Sequence, residues 1–316
     1  MRAAKNNVKN FVFSRFCMRD RKLCDLGHSR WQRPVSWTIL PKPREKPVQF
    51  LSLVPQAPLN LLVETIWDWE AAFQSHRLER VLPVANAGLI INLAEDQTRV
   101  YDEQYRCTRF SGSTLDGPRT RSSIIDSEEQ VAVMGVVFRP GGAAMFFRER
   151  MDRLANDSAD LQDLAGNDVP LLRERLLEAD GPHNRLALLM RWLEKRSAPA
   201  APNHPILHAL AVLDSDPRIG ALTAAAHDLG WSPRQLAERF RQQVGIAPKR
   251  YLRLRRFHQV VAATENRDRI DWAGLSLDCG YHDQAHMGHE FREFSGLSPA
   301  AYSRRRGPWS SHIALP

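Results

Sequence analysis

Cysteine is scarce. The chain has 4 in 316 residues, Cys17, Cys24, Cys107 and Cys279, scattered and with no C-x-x-C pair. Such spacing builds neither a disulfide framework nor a thiolate metal knuckle, and it suits a reducing cytoplasm. Long hydrophobic runs are missing too; none approaches the roughly 20 residues that a membrane-spanning helix needs. The basic start, Met1 to Arg33, carries Phe11, Phe13 and Phe16 but no sustained apolar core, so it does not read as a secretory signal. There is no P-loop, no dinucleotide glycine fingerprint and no nucleophile elbow. Asp68, Glu70, Asp102 and Glu103 offer carboxylates, but nothing in the sequence fixes their separation. Residues 55–196 hold no metal triad and no nucleophile–base pair, so we expect no enzyme, no cofactor and no metal.

What is present is enough apolar sequence for real cores, 43% of residues, and a length that fits two folded domains. The net charge of +8 is unevenly spread. Residues 1–50 hold 12 Lys/Arg against 3 Asp/Glu, residues 51–204 hold 17 against 22, and residues 205–316 hold 15 against 11. An acidic middle beside a basic C-terminal part is the division expected of a nucleic-acid reader joined to another module.

The C-terminal part says one thing twice. Ser232-Pro-Arg-Gln-Leu236-Ala-Glu-Arg-Phe240 is followed by Gly245, Pro248 and Tyr251. Asp283-Gln-Ala-His-Met287-Gly-His-Glu-Phe291 is followed by Gly296, Pro299 and Tyr302, at a common offset of 51 residues. A fixed offset over so many positions is an internal repeat. Ser232 and Asp283 suit helix N-caps, and Pro233 suits the first turn. Leu236, Phe240 and Val244 line one face at i, i+4, i+8. Gly245 and Gly296 end the helices, and Pro248 and Pro299 block continuation. Before each copy lies a short helical segment closed by glycine, Ala221 to Gly230 and Trp272 to Gly280. Helix, tight turn, capped helix is helix-turn-helix grammar. Between the copies, Pro248 to Thr264 reads as one helix about 25 Å long. A rod of that length lets two motifs enter successive major grooves, roughly 34 Å apart.

From about Pro205 to Arg306 these residues resemble the AraC/XylS family of bacterial transcription regulators. The Gly-x-x-Pro-x-x-Tyr endings and the segment Gly280 to Phe291 carry the resemblance. It implies an all-α DNA-binding domain with two helix-turn-helix motifs joined by a long helix. By position in the family's motif, Arg234, Ala237 and Glu238 face bases on the first recognition helix, and Gln284, Ala285 and His289 on the second. Gln235, Arg241 and Gln242 share the polar side of the first helix, and Arg292 that of the second. Arginine suits guanine, glutamate cytosine and glutamine adenine. Glu238 has a second reading, a pair with Arg234 or Arg241 on its own helix. Arg250, Arg253, Arg255 and Arg256 on the joining helix read either as phosphate contacts or as a solvated or domain-facing stripe. His282, His286 and His289, near Cys279, mimic a metal face, but His286 belongs to the helix pattern and no metal is assigned.

The middle region reads as many short strands followed by helices. Strands are expected at Val81–Pro83, Gly88–Leu93, Thr98–Tyr101, Tyr105–Phe110, Ser122–Asp126 and Val131–Phe138, and Leu59 to Glu70 as a short helix running into a strand. Helices are expected at Ala143–Met151, Leu161–Leu164, Val169–Ala179 and Asn184–Lys195. Val133 to Ala143 and Asp160 to Gly166 resemble the cupin-like N-terminal domain of one uncharacterised AraC subgroup. The chain departs from that subgroup at Pro83-Val-Ala-Asn-Ala-Gly88, where it lacks the usual Pro-Asp-Gly and acidic residue. Trp67 and Trp69, at i and i+2, share one strand face. They read either as core or, with Asn92 or Arg139 as the polar group, as the wall of a small-molecule pocket.

The expected organisation is α+β with two domains. Residues 1–54 are a basic, disordered tail with Met18 as an internal start candidate; its other reading is an arm adding phosphate contacts. A β-rich, cupin-like barrel or sandwich with trailing helices follows at 55–196, then a linker at 197–204, the DNA-binding domain at 205–306 and a tail at 307–316. The expected function is a cytoplasmic, nucleoid-associated, sequence-specific transcription regulator. Its partners would be double-stranded DNA, a small-molecule effector, a second copy of the chain and RNA polymerase, with no membrane. The expected mechanism is a population shift toward paired DNA domains at half-site spacing. Two other readings are a ligand-independent regulator with a partner platform and a DNA-tethered enzyme.

Overall fold

The structure is a computed structural model that describes residues 49–71, 76–197, 205–215, 220–265, 269–307 and 309–315. The expectations for residues 1–48, and for most of the linker, lie outside the described residues.

Strands β1 (Gln49–Leu53), β2 (Val63–Glu70), β4 (Gly88–Asn92), β7 (Ser113–Asp116), β9 (Ala132–Phe138) and β10 (Ser158–Asp160) form one sheet, in the order β1-β2-β9-β4-β7-β10. The second sheet has the order β11-β3-β8-β5-β6, from β3 (Leu78–Val81), β5 (Gln97–Tyr101), β6 (Cys107–Ser111), β8 (Ser123–Asp126) and β11 (His312–Ala314). The strand pairings are antiparallel. Side-chain alternation divides the first sheet between two layers. In β2, Ile66 and Asp68 face helices, whereas Trp67 and Trp69 face the second sheet across a cavity.

Helices α1 (Ala144–Phe147), α2 (Leu161–Ala165), α3 (Asp168–Glu178) and α4 (Gly181–Arg196) cover the outer face of the first sheet. Leu172, Leu176, Leu186, Leu189 and Leu193 supply their apolar stripe. Burying each leucine contributes roughly 2 kcal/mol. One polar tie crosses this layer. Arg185 of α4 donates to both carboxylate oxygens of Asp68, at 2.6 and 2.9 Å, and Asp68 is only 1% exposed. The carboxylates flagged in the sequence are thus structural partners of arginine. Glu70 lies 3.6 Å from Arg185, Asp102 pairs with Arg106, and Glu103 with Arg80.

The C-terminal domain contains α5 (Pro205–Ser215), α6 (Gly220–Asp228), α7 (Pro233–Val244), α8 (Pro248–Ala263), α9 (Trp272–Asp278), α10 (Gln284–Ser295) and α11 (Pro299–Arg305). The repeat seen in the sequence is the repeat seen in space. Ser232 and Asp283 cap α7 and α10, and Gly245 and Gly296 end them with φ of 91° and 72°, which a side chain resists.

Four differences from expectation have local causes. Gln49–Leu53, placed in the tail, is strand β1; it pairs along β2 and buries Leu51. His312–Ala314, also placed in a tail, is strand β11 on the edge of β3. The helix expected over Ala143–Met151 lasts one turn, because Arg148 turns left-handed at φ 53°. Strands β7 and β10 were not foreseen; at four and three residues they are too short to show a period.

Truncating Asp68 leaves the Arg185 charge without its carboxylate under a layer of helices. Asp68→Ala is expected to cost about 3 kcal/mol of stability, measured by chemical denaturation. A loss below 1 kcal/mol contradicts this account of the layer.

Candidate nucleic-acid interface and its domain contact

Both recognition helices are built around α8. Phe240 of α7 meets Tyr251 of α8 at 5.6 Å between ring centroids. Phe257 of α8 meets Phe291 and Phe294 of α10 at 4.8 and 5.3 Å. These buried faces turn the other side of each recognition helix outward.

On α7, Arg234 is exposed and makes no hydrogen bond or ion pair with a described residue. Ala237 is half-buried. Gln235 is committed elsewhere: its side-chain oxygen accepts from the Ser232 N–H at 2.9 Å, while Ser232 Oγ accepts from the Gln235 N–H at 3.2 Å. That is a capping box, legible in the Ser-x-x-Gln spacing but not singled out. Glu238 accepts from Gln242 at 2.6 Å and from Arg241 at 3.2 Å. These donors hold its carboxyl below the usual range, the Gln242 bond first. These are the contacts of its second reading, a pair on its own helix. Arg241 points at the other domain, where Asp152 lies 2.6 Å away, and Arg150 lies 3.9 Å from Glu238.

On α10, Gln284, Ala285, His289 and Arg292 are all exposed. The side chains of Gln284, His289 and Arg292 make no hydrogen bond or ion pair with a described residue. His282 sits 3.1 Å from Asp283, and His286 packs edge-on to Tyr281. Among the described residues no group of three or more His, Cys, Asp or Glu is arranged to hold a metal.

The α8 arginines are turned inward. Arg253 donates to the buried Glu290 at 2.6 Å, and Arg256 lies 3.4 Å from it. Tyr281 also donates to Glu290, at 2.9 Å. Arg250 and Arg253 both pair with Glu293, and Arg250 donates to the Thr120 carbonyl of the other domain at 3.2 Å. Arg255 lies 3.3 Å from Asp214. Arg250, expected to contact DNA, is thus an internal and interdomain tie, because two glutamates of α10 face its helix.

Residues 225–305 match the family described as "Helix-turn-helix domain". The C-terminal domain is an AraC-type helix-turn-helix domain. Residues 51–160 match a family described as "Domain of unknown function (DUF6597)". No curated protein matches the chain. Among solved structures, ToxT from Vibrio cholerae is similar at 8% identity, over 81% of this chain and 98% of that one, with a TM-score of 0.42. Unsaturated fatty acid bound ToxT from Vibrio cholerae strain SCE256 is similar at 11% identity, over 84% and 97%, with a TM-score of 0.41. A DNA-binding transcriptional dual regulator from Escherichia coli K-12 is similar at 19% identity, over 33% and 98%, with a TM-score of 0.28.

The AraC-type domain is docked on the β-rich domain. Leu82 and Ala85 share its apolar core. The Ser122 N–H donates to the Phe294 carbonyl at 3.1 Å. Gly245 packs so closely that a Cβ there would lie 2.3 Å from Pro118. His258 of α8 donates through Nε2 to the Pro83 carbonyl at 2.7 Å.

The cavity between the sheets, ≈190 Å³, is lined by Trp67 and Trp69. Asn92 and Arg139 do not line it. Asn92 is buried and donates to the Gln97 and Glu129 carbonyls, and Arg139 donates to the Asn60 carbonyl at an exposed site.

Burial holds His258 down to about 4, with the nearby Arg255 charge adding to the effect. The folded pKa lies below the unfolded 6.5, so the docked form binds protons less readily than the unfolded chain. Its contribution is intact above pH 6.5 and is lost as pH falls toward 4. Thermal stability is expected to drop between pH 6.5 and 4.5, with a shallower drop in His258→Gln; equal slopes contradict it. Releasing Arg241 from Asp152 is expected to raise DNA affinity. Asp152→Ala should strengthen binding by a few-fold and steepen its salt dependence; unchanged affinity in a gel-shift titration contradicts it.

Proposed function

We propose that the chain is a sequence-specific DNA-binding transcription regulator whose β-rich domain takes a small-molecule effector. The observation that carries the DNA reading is the pair of capped helices fixed to one rod, each with an exposed polar face. At 1.5 Å per residue, the 16 residues of α8 span about 24 Å. That spacing supports insertion of α7 and α10 into neighbouring major grooves on one side of a duplex. Arg234 reads a guanine edge through O6 and N7, and Gln284 an adenine edge. Ala237 and Ala285 allow close approach, and His289 and Arg292 contact the backbone. Glu238, Gln242 and Gln235 order the first helix.

The effector reading rests on the cavity, walled by two tryptophans and lying between the two sheets. An effector changes DNA affinity only through different affinity for docked and released arrangements of the domains. Self-association and contact with RNA polymerase belong to the same reading, as the usual means by which paired half-sites are read and transcription is changed. A ligand-independent platform is disfavoured by the cavity.

The test is selection of genomic DNA fragments by the purified full-length protein and by Arg234→Ala. A shared motif spanning two neighbouring grooves is expected. The substitution should cost about 1–3 kcal/mol at one base pair and relax preference there. The same motif at the same strength from both proteins would contradict the role of Arg234, and no enrichment from a folded protein would contradict the regulator reading.

A further inference from the structure

One wall of the cavity comes from the far end of the chain. After α11 the backbone returns to the β-rich domain, and β11 extends the second sheet, with His312 opposite Val81 and Ala314 opposite Glu79. His312 and Val81 both line the cavity. Ile313 is buried in the core shared with the AraC-type domain. Trp309 stands edge-on to Trp69, 6.4 Å between centroids and at 87°. The same segment is held by the DNA-binding domain: Tyr302 of α11 donates to the Ser310 carbonyl at 2.7 Å. It is held by the β-rich domain as well, where the Leu82 N–H donates to the Ser311 carbonyl at 2.9 Å.

The lining tells what the cavity accepts. Trp67, Ile90, Val100, Ile125 and Val133 make it mainly apolar. Thr98 and Ser127, 5% and 3% exposed, also line it, and their hydroxyl oxygens have no hydrogen-bond partner. A buried hydroxyl without a partner is costly, and a guest bearing a neutral donor or acceptor removes that cost. Negative charge is a poor match. Glu79 and Asp116 on the wall repel anions, and the guanidinium of Arg119 is already engaged by Asn156 and Ser158.

We propose that the cavity binds a compact, mainly apolar molecule that carries one hydroxyl and no negative charge, and that the segment Trp309–Ala314, which sets His312 on the wall, transmits its presence to the DNA-binding domain. This deepens the effector reading above and rests on it. The guest packs against Trp69, which Trp309 braces edge-on, and against His312 of the segment, so it favours the docked arrangement. Because the segment follows α11 directly and Tyr302 binds its backbone, docking of the wall and placement of the DNA-binding domain are linked.

The test uses the full chain and three probes, 2-naphthol, naphthalene and 2-naphthoate, with binding read by calorimetry and DNA affinity by titration on a selected site. 2-Naphthol is expected to bind at least ten-fold more tightly than naphthalene, 2-naphthoate to bind more weakly than 2-naphthol, and 2-naphthol to change DNA affinity. Thr98→Val with Ser127→Ala should erase the preference for 2-naphthol over naphthalene. Trp309→Ala should weaken 2-naphthol at least ten-fold and abolish its effect on DNA affinity. Trp309→Leu, a smaller change at the same position, should do the same if Trp309→Ala proves poorly folded. Binding of none of the probes, or an unchanged 2-naphthol response in a folded Trp309→Ala, would overturn the proposal. In either case retained sequence-specific DNA binding leaves the regulator reading standing, whereas loss of DNA binding by the unliganded wild-type chain would sink that reading instead.

Discussion

Helix α8 is the constraint on which the DNA-binding half depends. Tyr251 on one stretch of it holds the first recognition helix through Phe240, and Phe257 on the next holds the second through Phe291 and Phe294. Recognition helices of 12 residues are marginal alone in water, so their direction must come from such packing. The polar surface of α8 repeats the arrangement. Its arginines converge on Glu290 and Glu293 of α10, which fixes the second motif in register with the rod. A buried carboxylate such as Glu290 is tolerable only because two guanidiniums and the Tyr281 hydroxyl surround it.

The same helix reaches across the domain boundary. His258 and Arg250 of α8 donate to carbonyl groups of Pro83 and Thr120 in the β-rich domain. Arg241, on the neighbouring recognition helix, meets Asp152. These contacts use residues on or beside the recognition helices, so the domain arrangement and the availability of those helices are physically coupled. The chain closes the loop at its other end, where β11 carries the C-terminal segment back to the edge of β3.

Much of this was legible in the sequence, and the limits have physical causes. The double motif was plain because N-caps, paired apolar positions and terminal glycines recur in both copies. The main strands of the β-rich domain were legible from apolar runs punctuated by turn residues. Short edge strands were not: β1, β10 and β11 are held by pairing across the fold, and three to five residues carry little period of their own. The functional surface was partly legible. Sequence spacing put Arg250, Arg241 and Gln235 on polar helix faces, but it did not reveal that Glu293, Asp152 and the Ser232 cap would engage them. Asn92 was offered with Arg139 as the polar group of a pocket; in the fold its amide bonds to two backbone carbonyls instead.

The central claim is that two helices on one rod read neighbouring grooves of one duplex. A hydroxyl-radical footprint of the full-length chain on a selected site tests it directly. The account predicts two protected patches on each strand, displaced by about one helical turn and lying on the same face of the DNA. A single patch, or patches on opposite faces, would contradict it.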